Sequence, residues 1–139
     1  MLIKSRLCTW LMVASLSSLS SLLVACQSSE SKLTQAAEQR WIALINGNFT
    51  EAYQYYTDAF QQSTPLEMFK HKVHGTGLWN KAAVKSVQCD DSGKHCTVEV
   101  EVTVAMKMRG LNKPLETKDV VKETWVKAGW FSDWRYIKE

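Results

Sequence analysis

The sequence predicts an α+β domain in which N-terminal helices pack on a curved antiparallel sheet. Between Leu33 and Val73 the apolar residues recur with the period of an α-helix. After Gly77 they alternate with polar residues, which is typical of strands with one buried face. Helices followed by a run of consecutive strands favour an α+β arrangement over alternating βαβ units.

Three helices are expected. The first begins near Leu33 and ends at Asn46-Gly47, a common helix stop. The second follows Asn48, whose side chain and that of Glu51 form a capping-box pattern. The third begins at Thr64-Pro65-Leu66-Glu67, with a cap followed by a proline at the first helical position. Apolar residues line one face of each: Leu33, Ala37, Trp41, Leu44 and Ile45; Phe49, Ala52, Tyr53, Tyr56 and Phe60; Leu66, Phe69 and Val73.

Four strands are expected, over Leu78–Cys89, Thr97–Met108, Leu115–Lys127 and Trp134–Ile137. The second alternates most strictly, and its apolar face is expected to point into the core: Val98, Val100, Val102, Val104, Met106 and Met108. The sequence does not determine which face of the third strand points inward. If its Trp125 side points inward, Glu123 lies in the interior and becomes a candidate acid–base residue. Because charged residues are rarely buried, we expect Glu123 to face solvent or the rim.

The first 25 residues have the pattern of a secretory leader. Lys4 and Arg6 precede an apolar stretch, and Ala25 stands directly before Cys26. Leu23-Val24-Ala25-Cys26 resembles the lipobox of bacterial lipoproteins. The resemblance implies a signal peptide over 1–25, cleavage before Cys26 and acylation of its thiol. Gln27, rather than Asp, after the cysteine implies the outer membrane, at its periplasmic face or at the cell surface. A retained membrane-spanning anchor is the alternative, but serines interrupt the apolar run: Ser15, Ser17, Ser18, Ser20 and Ser21.

Two cysteines remain beyond Cys26 in the predicted exported chain. Cys89 and Cys96 flank Asp90–His95, a turn-rich segment that suits a hairpin loop. An even pair in an exported protein predicts a disulfide. A metal site built from Cys89, His95, Cys96 and an aspartate is the alternative, and it lacks paired Cys-x-x-Cys spacing.

Charge and motifs exclude several function classes. The net charge is +3, and loss of Lys4 and Arg6 with the leader brings it close to neutral, so nothing indicates nucleic-acid binding. No cofactor-binding or catalytic motif is present, and no cofactor is expected. His71 and His74 have a spacing that can meet one metal ion, but no third ligand accompanies them. We interpret them as residues of a helix end, where cations are favoured.

A second resemblance covers nearly the whole predicted mature chain. The run from Trp41 to Tyr53, then Asp58-Ala59-Phe60, resembles the helical opening of the nuclear transport factor two-like superfamily. The end of the chain, with Trp125-Val126-Lys127, Gly129 and Trp134-Arg135-Tyr136, is similar to that superfamily's last hairpin. The resemblance implies a cone in which a curved sheet wraps a helix and leaves a pocket at the open end. Enzymes of the superfamily use an acid or a histidine inside this cone.

These patterns give one expected organisation and two candidate functions. After the leader, a lipidated tether spans 26–32 and a single domain spans 33–139. Aromatic residues are expected mainly in the core, and six are candidates for lining a pocket: Trp41, Tyr53, Tyr56, Trp79, Trp125 and Trp134. The favoured function is a lipid-anchored, non-catalytic binding or accessory module, whose partners are the bilayer and a small apolar ligand or an envelope protein. The alternative is a small-molecule isomerase or hydrolase with Glu123 or a histidine as its base.

Overall fold

The structure, a computed structural model, describes residues 28–138, so the predicted leader and Cys26 lie outside the described residues. Within 28–138, four helices precede four strands. The helices are α1 (Ser29–Ile45), α2 (Phe49–Tyr53), α3 (Asp58–Ser63) and α4 (Leu66–Lys72). The strands are β1 (Trp79–Cys89), β2 (His95–Met106), β3 (Leu115–Val126) and β4 (Arg135–Ile137). The predicted α+β class is confirmed.

The four strands form one antiparallel sheet in the order β1-β2-β3-β4, and the sheet is open rather than closed. Each strand pairs with the next in the chain, as consecutive hairpins do. The long strands β2 and β3 pair over their whole length, whereas β4 pairs only with Thr124–Val126 of β3. A single bridge between Tyr56 and Tyr136 links the helical part of the chain to β4.

The helices differ from the sequence prediction at their ends. α1 begins at Ser29, inside the segment predicted as a tether, and the Ser28 hydroxyl accepts a hydrogen bond from the Ser31 amide. The predicted second helix is divided into α2 and α3, and Thr57 caps α3. The side-chain amide of Asn48 donates a hydrogen bond to the Glu51 carboxylate, and the Asn48 side chain makes no capping hydrogen bond to the backbone of α2. At α4 the N-cap position belongs to Pro65, one residue later than predicted.

The core lies between α1 and the sheet. Buried apolar side chains of α1 meet those of β2 and β3: Leu33, Ala37, Trp41, Ala43 and Leu44 on the helix, and Val98, Val100, Val102 and Trp125 on the strands. Ala52, Tyr56 and Phe69 extend this core under α2 and α4. The face of α1 predicted to be apolar is therefore the face that packs on the sheet.

The inward face of β2 is shorter than predicted. Val98, Val100 and Val102 are buried, but Met106 is 41% exposed and Met108, beyond the end of the strand, is 52% exposed. The opposite residues of β3, from Leu115 to Val120, are exposed on both faces. The prediction for Met106 and Met108 was wrong because, among residues 28–138, nothing covers this end of the sheet.

A disulfide joins the two strands of the first hairpin. Cys89 and Cys96 are directly opposite each other in the β1–β2 register, with Cα atoms 4.0 Å apart and an S–S bond of 2.04 Å. The Asp90 amide donates to the His95 carbonyl just beyond the bridge. The predicted disulfide is confirmed, and the alternative metal site at these cysteines is excluded.

Candidate binding site

Glu123 is a buried carboxylate at the centre of the domain. It lies on β3 on the same face as Trp125 and is 1% exposed. Its Oε1 accepts hydrogen bonds from Arg40 Nη1 and Trp41 Nε1, both at 2.7 Å, and its Oε2 accepts one from Trp125 Nε1 at 2.9 Å. The expectation that Glu123 faces solvent or the rim was wrong. Hydrogen bonds from three donors replace those that water makes to an exposed carboxylate, and this allows Glu123 to be buried.

Arg40 is the positive partner of this carboxylate. It projects from α1 and is 5% exposed, with Nη2 donating to the Tyr56 hydroxyl at 3.1 Å. Its guanidinium carbon lies 4.0 Å from the centre of the Tyr136 ring and 5.1 Å from that of Tyr56. Burial acts to lower the pKa of Arg40, but the charge of Glu123 and the contacts with Tyr56 outweigh it, so that this pKa is raised. Arg40 and Glu123 therefore form a buried ion pair.

The geometry gives Glu123 a positioning role. A general base needs a lone pair that can reach a substrate proton. Both oxygens of Glu123 already accept bonds from donors that the fold holds in place, one of them a permanent cation. The hydrogen bonds to Glu123 fix the orientation of the Arg40 guanidinium and of two indole rings.

A cavity of about 290 Å³ opens beside Arg40. Aromatic rings form much of its wall, and three further basic side chains stand around it; the lining comprises Arg40, Trp41, Leu44, Tyr56, Lys72, Val73, His74, Trp79, Tyr136 and Lys138. Among the residues that the structure describes, no carboxylate belongs to this lining. Because Glu123 balances the charge of Arg40, the net positive charge beside these flat apolar walls comes from Lys72 and Lys138.

Gly75 sets the position of one wall of the cavity. Its backbone has a φ of +94°, and a Cβ placed there would lie 2.8 Å from Cζ2 of Trp79. Trp79 in turn meets Trp41 edge to face, with ring centres 5.4 Å apart. A larger residue at position 75 would therefore strain the backbone and displace the Trp79 ring.

The six aromatic residues predicted to line a pocket do not lie together. Trp41, Tyr56 and Trp79 line the cavity beside Arg40. Trp125 is fully buried in the core, and Tyr53 packs against Phe60 and Phe69 while its hydroxyl lies within hydrogen-bond distance of two backbone carbonyls. Trp134 lines a separate cavity at the start of α1.

A second cavity of about 480 Å³ lies between the start of α1 and the loop that connects β3 to β4. Trp134 Nε1 donates to the Ser29 carbonyl at 3.1 Å, and Lys127 Nζ donates to the Ser29 hydroxyl at 2.6 Å. Lys127 Nζ also lies over the rings of Trp130 and Trp134, 5.4 and 4.9 Å from their centres. The loop is thus attached to the first turn of α1.

The two histidines of the His71–His74 segment lie in different surroundings. His71 lies in the last turn of α4, as expected, whereas His74 follows the helix and lines the cavity beside Arg40. Residues 28–138 contain no group of three or more His, Cys, Asp or Glu side chains placed to hold a metal ion. Over the same range, none of the helices is both long and apolar enough to cross a membrane.

Arg40 is the site residue that our sequence reasoning missed. A signal was present, because Arg40 falls on the same helical stripe as Leu33, Ala37 and Leu44. On β3, Glu123 lies between Val121 and Trp125 on one face. Two opposite charges, each flanked by apolar residues of its own face, indicate a buried ion pair.

Comparisons with known proteins give a fold and no family. No protein-family model matches the sequence, and no curated protein matches it. Among solved structures, a SEC-C motif-containing protein from Psychrobacter arcticus is similar, with a TM-score of 0.54 and 16% sequence identity. The match covers 81% of this chain and only 59% of that one. At this identity the similarity supports the α+β fold alone.

Proposed function

We propose that the chain is a lipoprotein of the bacterial envelope, anchored through acylated Cys26 at the outer membrane, whose domain binds a small anion without turning it over. Leu23-Val24-Ala25-Cys26 behind a basic leader supports the anchor. The main support for the binding function is the contact between Glu123 and Arg40. The Glu123 carboxylate holds Arg40 at the wall of a cavity whose other lining residues are mostly aromatic or basic.

The lining of the cavity indicates the chemistry of the ligand. Guanidinium groups pair with carboxylates and phosphates through charge-assisted hydrogen bonds. Lys72, His74 and Lys138 add positive or ionisable groups, and Trp41 and Trp79 offer flat apolar contacts. Because the volume lies at the lower end of the usual range for ligand pockets, a small molecule fits best. The ligand we propose is a carboxylate or phosphate ester with a compact aromatic or alicyclic body.

The alternative, an isomerase or hydrolase with Glu123 as base, has less support. Protonation of Glu123 would oppose its ion pair with Arg40 and its bonds from Trp41 and Trp125. Catalysis through this residue would therefore begin by weakening contacts that hold the core together.

The test uses a charged probe and its neutral counterpart. We expect 2-naphthoate to bind at least about tenfold more tightly than 2-naphthamide in isothermal titration calorimetry, because Arg40 and the lysines interact with the charge. The variant Lys72→Gln/Lys138→Gln should reduce this preference, whereas Lys113→Gln, outside the cavity lining, should not. Equal affinity for acid and amide in the wild-type protein would refute an anion site.

A further inference from the structure

Two neighbouring aromatic side chains are the most exposed large apolar residues in the range 28–138. Trp130 is 71% exposed and Phe131 is 104% exposed. They lie in the segment 128–133 between β3 and β4, which we call the aromatic loop. Exposed aromatic residues of this size are costly in water and indicate an interaction surface.

The position of the aromatic loop relative to the start of the domain is fixed. Lys127 precedes the loop and Trp134 follows it, and both donate hydrogen bonds to Ser29. The loop is therefore held against the residue at which α1 begins, which is also where the chain enters the domain.

The predicted lipid attachment site is close to this point in sequence. Cys26 precedes Ser29 by three residues, which span at most about 10 Å even when extended. The polar interfacial layer on each side of a bilayer is about 5–8 Å thick. An acylated Cys26 would consequently bring Ser29, and the loop bonded to it, to the membrane surface.

We propose that the aromatic loop inserts Trp130 and Phe131 into the interface of the bilayer that anchors Cys26, and so sets the orientation of the domain. The inference rests on the proposed anchor. Tryptophan favours the membrane interface because its ring is apolar while its N–H still bonds with water or headgroups. The cavity behind the loop is lined by Lys32, Lys127 and Arg135 against one carboxylate, Asp133, which suits anionic headgroups.

The opposite end of the sheet provides an internal control. Leu111 is exposed in the turn between β2 and β3, and the whole length of β3 separates that turn from the aromatic loop. Twelve residues of strand correspond to about 40 Å. A domain anchored through the aromatic loop therefore keeps Leu111 far from the membrane.

The experiment measures contact between tryptophan and lipid. The mature acylated protein is reconstituted in vesicles of phosphatidylethanolamine and phosphatidylglycerol that contain a brominated phospholipid, and tryptophan fluorescence is recorded. We expect quenching in the wild type, at least about twofold less in Trp130→Phe, and less in Phe131→Ser because insertion is shallower. Leu111→Ser should behave as the wild type.

Each outcome bears on a different claim. The mass of the N-terminal peptide and partitioning into detergent show whether Cys26 is acylated. A free Cys26 thiol would refute the anchor and this inference together. An acylated protein in which Trp130→Phe leaves the quenching unchanged would refute only the insertion of the loop, and would point to a protein partner for these aromatic residues instead.

Discussion

The two ends of β2 have similar sequence patterns and opposite surroundings. At one end, Val98 and Val100 are buried beneath the helices, beside Trp125 of β3. At the other end, Met106 faces solvent although the same alternation continues to it. Alternation thus identifies which face of a strand is apolar, whereas the elements packed on the sheet determine how much of that face is buried.

Ion pairs differ between the two faces of the sheet. On the inward face, Arg40 and Glu123 are both buried, at 2.7 Å. On the outward face, Lys118 and Glu101 pair across the strands at 3.0 Å, with Lys118 well exposed to solvent. Removal of one member of a buried pair strongly destabilises the folded state, whereas an exposed pair contributes little to stability.

The largest effect is expected for Glu123→Leu. This change leaves the Arg40 charge buried without its partner and removes the acceptor of two indole N–H groups. We expect the free energy of unfolding, measured with urea, to fall by about 3–5 kcal/mol. The double variant Arg40→Met/Glu123→Leu removes both charges and should recover much of this loss. A single variant as stable as the wild type would contradict the buried pair.

The next effect concerns the disulfide. Replacing both Cys89 and Cys96 with serine should lower the stability by about 2.5 kcal/mol, because the unfolded chain is no longer constrained by the bridge. The reduced wild-type protein is the matched control and should lose a similar amount. Two free thiols in the native protein, detected by alkylation without reductant, would show that the bridge does not form.

A matched pair of truncations compares the two ends of β2 directly. Val100→Ala creates a cavity in the core and should cost about 2 kcal/mol. Met106→Ala removes a larger side chain from an exposed position and should change stability by about 0.5 kcal/mol or less. Thermal and urea unfolding would measure both. Equal losses would mean that another element covers Met106 in solution.

The smallest effect is a pH dependence at Glu101. The hydrogen bond from Lys118 lowers the pKa of Glu101, and the charges of Lys118 and Lys85 act in the same direction. Because this pKa is lower in the folded state, the stabilisation is present above the unfolded pKa and is lost as the pH falls through the folded pKa. Lys118→Gln should raise the pKa of Glu101 in an NMR titration. An unchanged value would show that the exposed pair is not formed.

Sequence periodicity predicted the helices and strands more accurately than the residues at which they begin and end. The break between α2 and α3 was missed because it depends on the distant strand β4: the Thr57 amide donates to the Tyr136 carbonyl, and the Tyr136 amide donates to the Tyr55 carbonyl. Such long-range bonds cannot be inferred from the sequence of Tyr53–Phe60, and the local signal of the break is Thr57, which caps α3. The disulfide was predictable because its two cysteines flank a short turn.

The candidate site was predictable only in part. Trp41, Tyr56 and Trp79 were identified from their type, yet the same argument selected Trp125, which fills the core. Composition does not distinguish a ring that lines a cavity from one that fills it. Glu123 was considered without a charged partner, and its side chain was therefore expected to face solvent or the rim. Only the pairing of α1 with β3 shows that Arg40 makes its burial possible.

The shortness of β4 has a consequence for self-association. Since β4 covers only Thr124–Val126, the outer edge of β3 from Leu115 to Lys122 has no strand beside it among the described residues. Such an edge is a template for intermolecular pairing and aggregation. Here charged side chains recur along it: Glu116, Lys118, Asp119 and Lys122. The Val120 amide, moreover, donates to the Asp119 carboxylate at 2.8 Å. An incoming strand would have to displace that bond and place its own side chains beside these charges, which disfavours pairing between copies of the domain.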